Sequence, residues 1–233
     1  MSKLFNVKAV LIDLDGTLLD TIADLASAAN LVRTEFSLPE LPLERIASFV
    51  GKGADVLVHR AMTDSADGQL AETEFAVARA TFDRHYTREN GRSAKPYAGV
   101  LAGLTAMKSA GLRLACVTNK PQVFTDPLLK RQEMDGFFEL VVGGDALPRK
   151  KPDPLPLLHI AERFGLLPAE CLMIGDSIND AQAARAAKMP VLLVPYGYNE
   201  GHDVAQLDSD GIVSSLEQAA ALVTSAGSQP GGT

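Results

Sequence analysis

The sequence predicts an α/β protein: a doubly wound parallel sheet interrupted by an all-helical insert. Three observations carry this. Short apolar runs rich in β-branched residues recur along the chain, apolar on both faces like the central strands of a parallel sheet. Segments with helical spacing alternate with them, which is the pattern of helices covering a parallel sheet. One interval after the first apolar run shows no convincing strand and is too long for an ordinary crossover.

The elements follow in order. Residues 7–13 form the first predicted strand. The interval 20–91 reads as helices over 21–36, 43–49, 54–62 and 70–90, with a Gly51-Lys52-Gly53 turn between the second and third. Residues 90–99, "NGRSAKPYAG", are rich in helix and strand breakers and mark the return to the sheet. Val100, Leu101, Leu104 and Met107 share one helical face. Strands are then expected at 112–119, 140–143, 171–175, 191–195 and, more weakly, 211–213, with helices at 123–132, 155–164 and 179–187. The chain thus divides into a Rossmann-like core, residues 1–19 and 92–224, and a helical domain, residues 20–91. The last stretch, residues 225–233 ("SAGSQPGGT"), is small, polar and expected to fray.

Composition narrows the function classes. Hydrophobic residues make up 46% of the 233, enough for a sizeable core. A net charge of -7 argues against non-specific nucleic-acid binding, although a site can be locally cationic on an acidic protein. The two cysteines, Cys116 and Cys171, sit in apolar runs without metal spacing and read as reduced core thiols. The N-terminus is charged too early for a signal peptide, and no apolar run approaches the roughly 18 residues of a membrane span. A cytoplasmic protein, monomer or homodimer, is expected, with no membrane or nucleic-acid partner.

Polar residues collect at the C-terminal ends of the predicted strands, where an open parallel sheet places its ligand crevice. Asp13 and Asp15 end the first strand and Thr118-Asn119-Lys120 the second. Lys151 follows the third; Asp176 and Asp180 follow the fourth. In an extended chain, residues i and i+2 face the same way, so Asp13 and Asp15 can share one site. Carboxylates crowded together need a compensating cation, and oxygen-only ligands favour a hard one such as Mg²⁺. A single such Asp could equally cap a helix or turn; three at strand ends are harder to explain that way. Lys151, stiffened by Pro152 and Pro154, is suited to hold an anion, but alone it also reads as solvated. Thr118 and Asn119 could receive a phosphate oxygen or simply form a turn. Lys52, projecting from its glycine turn, reads by composition as a surface lysine. The loop at 196–201, "YGYNEG", follows the fifth strand and carries no assigned role. The four histidines show no ligand spacing.

Taken together, Asp13-Leu14-Asp15-Gly16-Thr17-Leu18, Thr118-Asn119, Lys151-Pro152-Asp153-Pro154 and Gly175-Asp176-Ser177 followed by Asp180 resemble the four motifs of the haloacid dehalogenase-like phosphatase superfamily. The helical insert resembles that superfamily's cap. The resemblance implies Asp13 as nucleophile forming an aspartyl-phosphate, and Asp15 as acid and then base. It implies Mg²⁺ held by Asp13, the backbone carbonyl of Asp15 and Asp176. Thr118, Asn119 and Lys151 would bind the phosphoryl oxygens, and Asp180 would support Lys151 or a metal-bound water. Ile12, where members often carry Phe, is a packing departure. The segment "GGDALPRKKPDP" and the loop "YGYNEG" resemble the phosphoglycolate-phosphatase branch, with Lys52 meeting the leaving-group carboxylate. The implied partner is a small anionic phosphomonoester. Sugar phosphatases and β-phosphoglucomutase-like phosphotransferases are the alternatives within the superfamily.

Overall fold

The structure is a computed structural model and describes residues 4–199 and 201–225. In chain order it runs β1 (Phe5–Val7), β2 (Ala9–Ile12), β3 (Leu19–Asp20), then helices α1 (Ile22–Glu35), α2 (Leu43–Ala47), α3 (Ala54–Thr63) and α4 (Glu72–Glu89). The chain returns through β4 (Lys95–Pro96) and continues as α5 (Val100–Ser109), β5 (Arg113–Val117), α6 (Gln122–Arg131), β6 (Leu140–Val142), α7 (Leu155–Arg163), β7 (Cys171–Gly175) and α8 (Ile178–Ala186). It closes with β8 (Val191–Leu193), β9 (Gly211–Ile212), α9 (Leu216–Leu222) and β10 (Val223–Ser225).

The main sheet is parallel, in the order β6-β5-β2-β7-β8-β9. Taken by chain position this is 3-2-1-4-5-6, the order of a Rossmann-like doubly wound sheet. The first apolar run is apolar on both faces because β2 feeds two layers. Val10 and Ile12 pack with Val100, Leu104 and Leu216 on one side. Ala9 and Leu11 pack with Leu157, Ile160 and Ala184 on the other. In register, Ile12 lies opposite Cys116 of β5 and Ile174 of β7. The three central strands therefore end level, and the residues just beyond them emerge side by side.

The helical insert has its own apolar core, with Ile46, Phe49, Leu57, Phe82 and Tyr86 buried in it and Phe124 joining from α6. Its two connections to the sheet pair with each other: β3 and β4 are antiparallel, Leu19 opposite Pro96 and Asp20 opposite Lys95. Buried Asp24 of α1 fastens the return segment by accepting from the N–H groups of Gly91, Ser93 and Ala94.

Three details differ from the sequence expectations. The first predicted strand is two: exposed Lys8 breaks the run, and Val7 belongs to β1, which pairs in parallel with β10. Ser225, expected to open the frayed tail, closes β10 instead; residues 226–233 lie outside the described residues. The pair β3 and β4 was not foreseen. Among the described residues, no helix is long and apolar enough to cross a membrane.

Candidate active site

The sequence just after β7, Gly175-Asp176-Ser177-Ile178-Asn179-Asp180, begins α8 with a reciprocal cap: Asp180 accepts from the backbone N–H of Ser177 (3.1 Å) and from its hydroxyl (2.7 Å). This local lock leaves Oδ1 of Asp180 to accept from Lys151 Nζ at 2.6 Å. The same ammonium donates to the carbonyl of Val117 (2.7 Å) and lies 2.8 Å from Asp13 Oδ1. Asp13 is set by β2, its N–H donating to Ile174 O of β7. Asp176 accepts from Thr17 Oγ1 (3.0 Å) and from the backbone N–H of Tyr198 (2.5 Å). Gly16 makes room for it: its φ is +88°, and a Cβ there would strike the Asp176 carboxylate.

Asp13, Asp176 and Asp180 each offer an oxygen within 4.8 Å of the others, and all three are buried. Burial raises the Asp13 pKa most; the charge of Lys151 pulls it down and that of Asp180 pushes it up, leaving it at about 6. Burial, then the charges of Asp13 and Asp180, hold Asp176 well above the usual carboxylate range. For Lys151 burial opposes the charge, but Asp13 and Asp180 outweigh it and keep the ammonium protonated well above the ordinary lysine value. Asp13 Oδ1 is buried yet lacks a partner in hydrogen-bond geometry, since Lys151 approaches it off the favoured direction. Buried polar atoms are seldom left so. The group therefore fits a divalent cation. Asp13 and Asp176 are the members of the group that could hold it, since Asp180 already serves Lys151 and the start of α8.

Asp15 stands apart from this group. The chain does not stay extended after Asp13: Leu14 O accepts from the N–H groups of Leu18 and Leu19, folding a turn. Asp13 and Asp15 consequently line one cavity with different partners. Both Asp15 oxygens accept from Lys120 Nζ, at 2.8 and 2.9 Å, and one also accepts from Thr21 Oγ1 at 2.8 Å. The Asp15 side chain is thus not part of the acidic group of Asp13, Asp176 and Asp180, and it was the Asp15 backbone carbonyl that the resemblance gave to the metal. Lys120 was named in the sequence only as part of a strand end. Its position there was the available signal, the same one that singled out Lys151.

Thr118 is buried at the end of β5 and lines the cavity, its N–H bound to Val142 O. Asn119 lines it too, but its amide nitrogen donates to Lys151 O (2.9 Å) and across to Gly51 O of the insert (3.0 Å). Gly53, at φ +90°, fits against Asn119 O, which an added Cβ would approach to 3.0 Å. The glycine turn is thereby seated on the core, and the cavity beneath measures about 50 Å³. That is room for only a few water-sized groups. Its insert wall is apolar, formed by Leu25, Val50, Leu57 and Phe82. Lys52 does not line it. It faces an adjoining cleft with Lys150, Asn179 and His202. Tyr198, from the 196–201 loop, lines the cavity and bonds through its hydroxyl to the start of α1; Glu200 of that loop lies outside the described residues.

Known proteins share this arrangement over most of its length. A family model described as haloacid dehalogenase-like hydrolase matches residues 10–194. A phosphoglycolate phosphatase of Nitrosospira multiformis is 52% identical over 217 residues, covering 93% of this chain and 96% of that one. A phosphoglycolate phosphatase of Thiobacillus denitrificans is 51% identical over 220 residues, 94% of this chain and 97% of that one. The crystal structure of a "predicted phosphoglycolate phosphatase" from Haemophilus somnus superposes with a TM-score of 0.86 at 35% identity, covering 91% of this chain and 96% of that one. From its six-stranded parallel sheet, its helical insert and its buried acidic group to these full-length similarities, the chain belongs to the haloacid dehalogenase-like hydrolases.

Proposed function

We propose that the protein is a Mg²⁺-dependent phosphatase that hydrolyses 2-phosphoglycolate to glycolate and phosphate. The observation that carries the chemistry is the separation of Asp13 from Asp15: one cavity, two carboxylates, two sets of partners. Relatives about half identical over nearly their whole length, and called phosphoglycolate phosphatases, support the substrate.

In this reading Asp13 attacks phosphorus, the ester P–O bond breaks, and an aspartyl-phosphate forms. Asp15 gives a proton to the departing glycolate oxygen, then removes one from the water that attacks phosphorus and frees Asp13. Lys151 and Thr118 bind the transferring oxygens, and Asp180 orients Lys151. Asn119 contributes chiefly by seating the glycine turn. Asp13 and Asp176 would hold Mg²⁺, which when bound would supply positive charge to offset that of the phosphoryl group. Residues 20–91 act as a cap over a core of 1–19 and 92–224, and its closure keeps bulk water from the intermediate. Lys52 and Lys150, in the adjoining cleft, draw the anionic substrate toward the site. The protein acts as a monomer or a homodimer. The buried free thiols of Cys116 and Cys171 accord with a cytoplasmic setting.

The test is phosphate release from a panel of phosphorylated metabolites with Mg²⁺, ranked by kcat/KM. 2-Phosphoglycolate is expected at the top, and Asp13→Asn should lose turnover on every substrate while keeping the fold. A sugar phosphate at the top would replace the substrate assignment. Turnover by Asp13→Asn at the wild-type rate would overturn the mechanism.

A further inference from the structure

Glycolate is an anion, and most of the insert wall of the cavity is apolar. An anionic leaving group is strongly disfavoured in such a place without a charge or hydrogen-bond donor to meet it. Among the described residues, two ammonium groups line the cavity, Lys120 and Lys151. Lys151 stands beside Asp13 and Asp180, on the phosphoryl side of the cavity. Lys120 stands on the other side, beside Asp15, the group that handles the leaving oxygen. It is 5% exposed and spans both Asp15 oxygens. An ammonium has three donors, so it can hold Asp15 and still reach a second acceptor.

A second residue converges on the same spot from the insert. Tyr86 of α4 lines the cavity, 2% exposed, with its ring centroid 4.9 Å from Lys120 Nζ. Its hydroxyl is buried with its oxygen turned to the Lys120 ammonium, and among the described residues no acceptor meets the phenol's own O–H. Leaving such a donor unmatched is costly, and a bound carboxylate would satisfy it. In 2-phosphoglycolate the carboxylate carbon is two bonds from the leaving oxygen, so a carboxylate there falls next to whatever group serves that oxygen.

We propose that Lys120 and Tyr86 together form the site that reads the carboxylate of the leaving group. The site is built half from the core and half from the insert, so it exists only while the insert is seated. Lys52 would then influence arrival of the substrate and leave discrimination in the cavity to Lys120 and Tyr86. This inference rests on the phosphoglycolate reading given above.

The experiment compares 2-phosphoglycolate with 2-hydroxyethyl phosphate, in which a hydroxymethyl group replaces the carboxylate. The quantity read is the ratio of their kcat/KM values, with Mg²⁺ present. Lys120→Met also strips Asp15 of its partner and will slow both substrates; the ratio cancels that common loss. Lys120→Met is expected to lower the ratio roughly 10- to 100-fold, and Tyr86→Phe, a variant that removes a buried O–H met by no acceptor and should fold well, roughly 3- to 10-fold. The loss should fall mainly on KM for phosphoglycolate. A ratio unchanged in either folded variant overturns the proposal. If Lys120→Met fails to fold, Tyr86→Phe and a crystal structure of the wild-type protein with Mg²⁺, glycolate and vanadate decide it. Glycolate carboxylate within hydrogen-bond distance of Lys120 and Tyr86 supports the site; carboxylate against Lys52, or against neither residue of the pair, overturns it. A wild-type protein that does not prefer phosphoglycolate over 2-hydroxyethyl phosphate overturns the parent reading, and this one with it, before any variant is made.

Discussion

The backbone N–H of Tyr198 donates to Asp176 Oδ2 at 2.5 Å, while the phenol oxygen of the same residue accepts from the N–H groups of Thr21 and Ile22 at 2.8 and 3.0 Å and donates to Asp20 Oδ1 at 2.6 Å. One residue thus touches a carboxylate of the buried acidic group and the start of the insert. The two contacts use different parts of it, so they can be separated.

Tyr198→Phe keeps the backbone bond and deletes the phenol contacts. We expect a stability loss of about 1 kcal/mol, a several-fold rise in KM for phosphoglycolate, and Mg²⁺ affinity by titration calorimetry within about twofold of wild type. A large fall in Mg²⁺ affinity would show that the phenol, and with it the insert, governs the metal site directly.

Gly53→Ala places a Cβ 3.0 Å from Asn119 O at a residue whose φ of +90° already disfavours a side chain. The glycine turn should then no longer seat on the core. Steady-state kinetics should show kcat/KM down roughly tenfold or more, because a misplaced closing element costs catalysis steeply. The melting temperature should move little, since the insert keeps its own apolar core.

Asp180→Ala removes a carboxylate that accepts from Lys151, from the Ser177 hydroxyl and from two backbone N–H groups. Breaking a buried ion pair from one side typically costs about 3–5 kcal/mol. Urea unfolding should report a loss of that order, and activity should fall with it as Lys151 loses its orientation. A stable, active variant would show that Asp13 alone positions the lysine.

Much of this was readable in the chain, and the exceptions have physical causes. The central strands announced themselves because residues such as Val10 and Leu11 serve opposite layers, which leaves no polar face to break the run. Once those strands were placed, the level ends of β2, β5 and β7 brought Asp13, Thr118 and Asp176 together. The separation of Asp15 from Asp13 was not readable: alternation along an extended chain ceases to apply where Leu14 starts a turn. The Lys120–Asp15 pair joins residues 105 apart in sequence through a contact that leaves no local pattern. Tyr198 acts on backbone N–H groups, which every residue but proline carries, so nothing in composition marks its partners. The strands β3 and β4 have two residues each, too few to show a period.

Metal binding should depend on pH in a definite direction. Asp13 is raised from its ordinary value near 3.8 to about 6, and Asp176 is raised with it. Without metal the native state therefore holds protons that the unfolded state has released, and these groups weaken the fold as pH climbs from about 4 through 6. Mg²⁺, in the proposed function, would bind the ionised carboxylates and reverse that loss. Thermal melts should show a Mg²⁺-induced rise that is small near pH 4.5 and reaches roughly 5–10 °C at pH 7 with the ion at about 100 times its Kd. In Asp13→Asn most of this rise should vanish. A rise equally large at the acidic end would contradict the assignment of these carboxylates as ligands.

The antiparallel contact of β3 with β4 has a mechanical meaning. Two separate tethers would let the helical insert twist, tilt and slide. Zipped together at Leu19–Pro96 and Asp20–Lys95, they leave essentially one pivot. A gate with a single axis returns along the path by which it left. In the proposed cycle Tyr86 would then return to Lys120 with no orientational search, and a pocket split between two pieces of the chain would be reassembled with the fidelity of one built from a single piece.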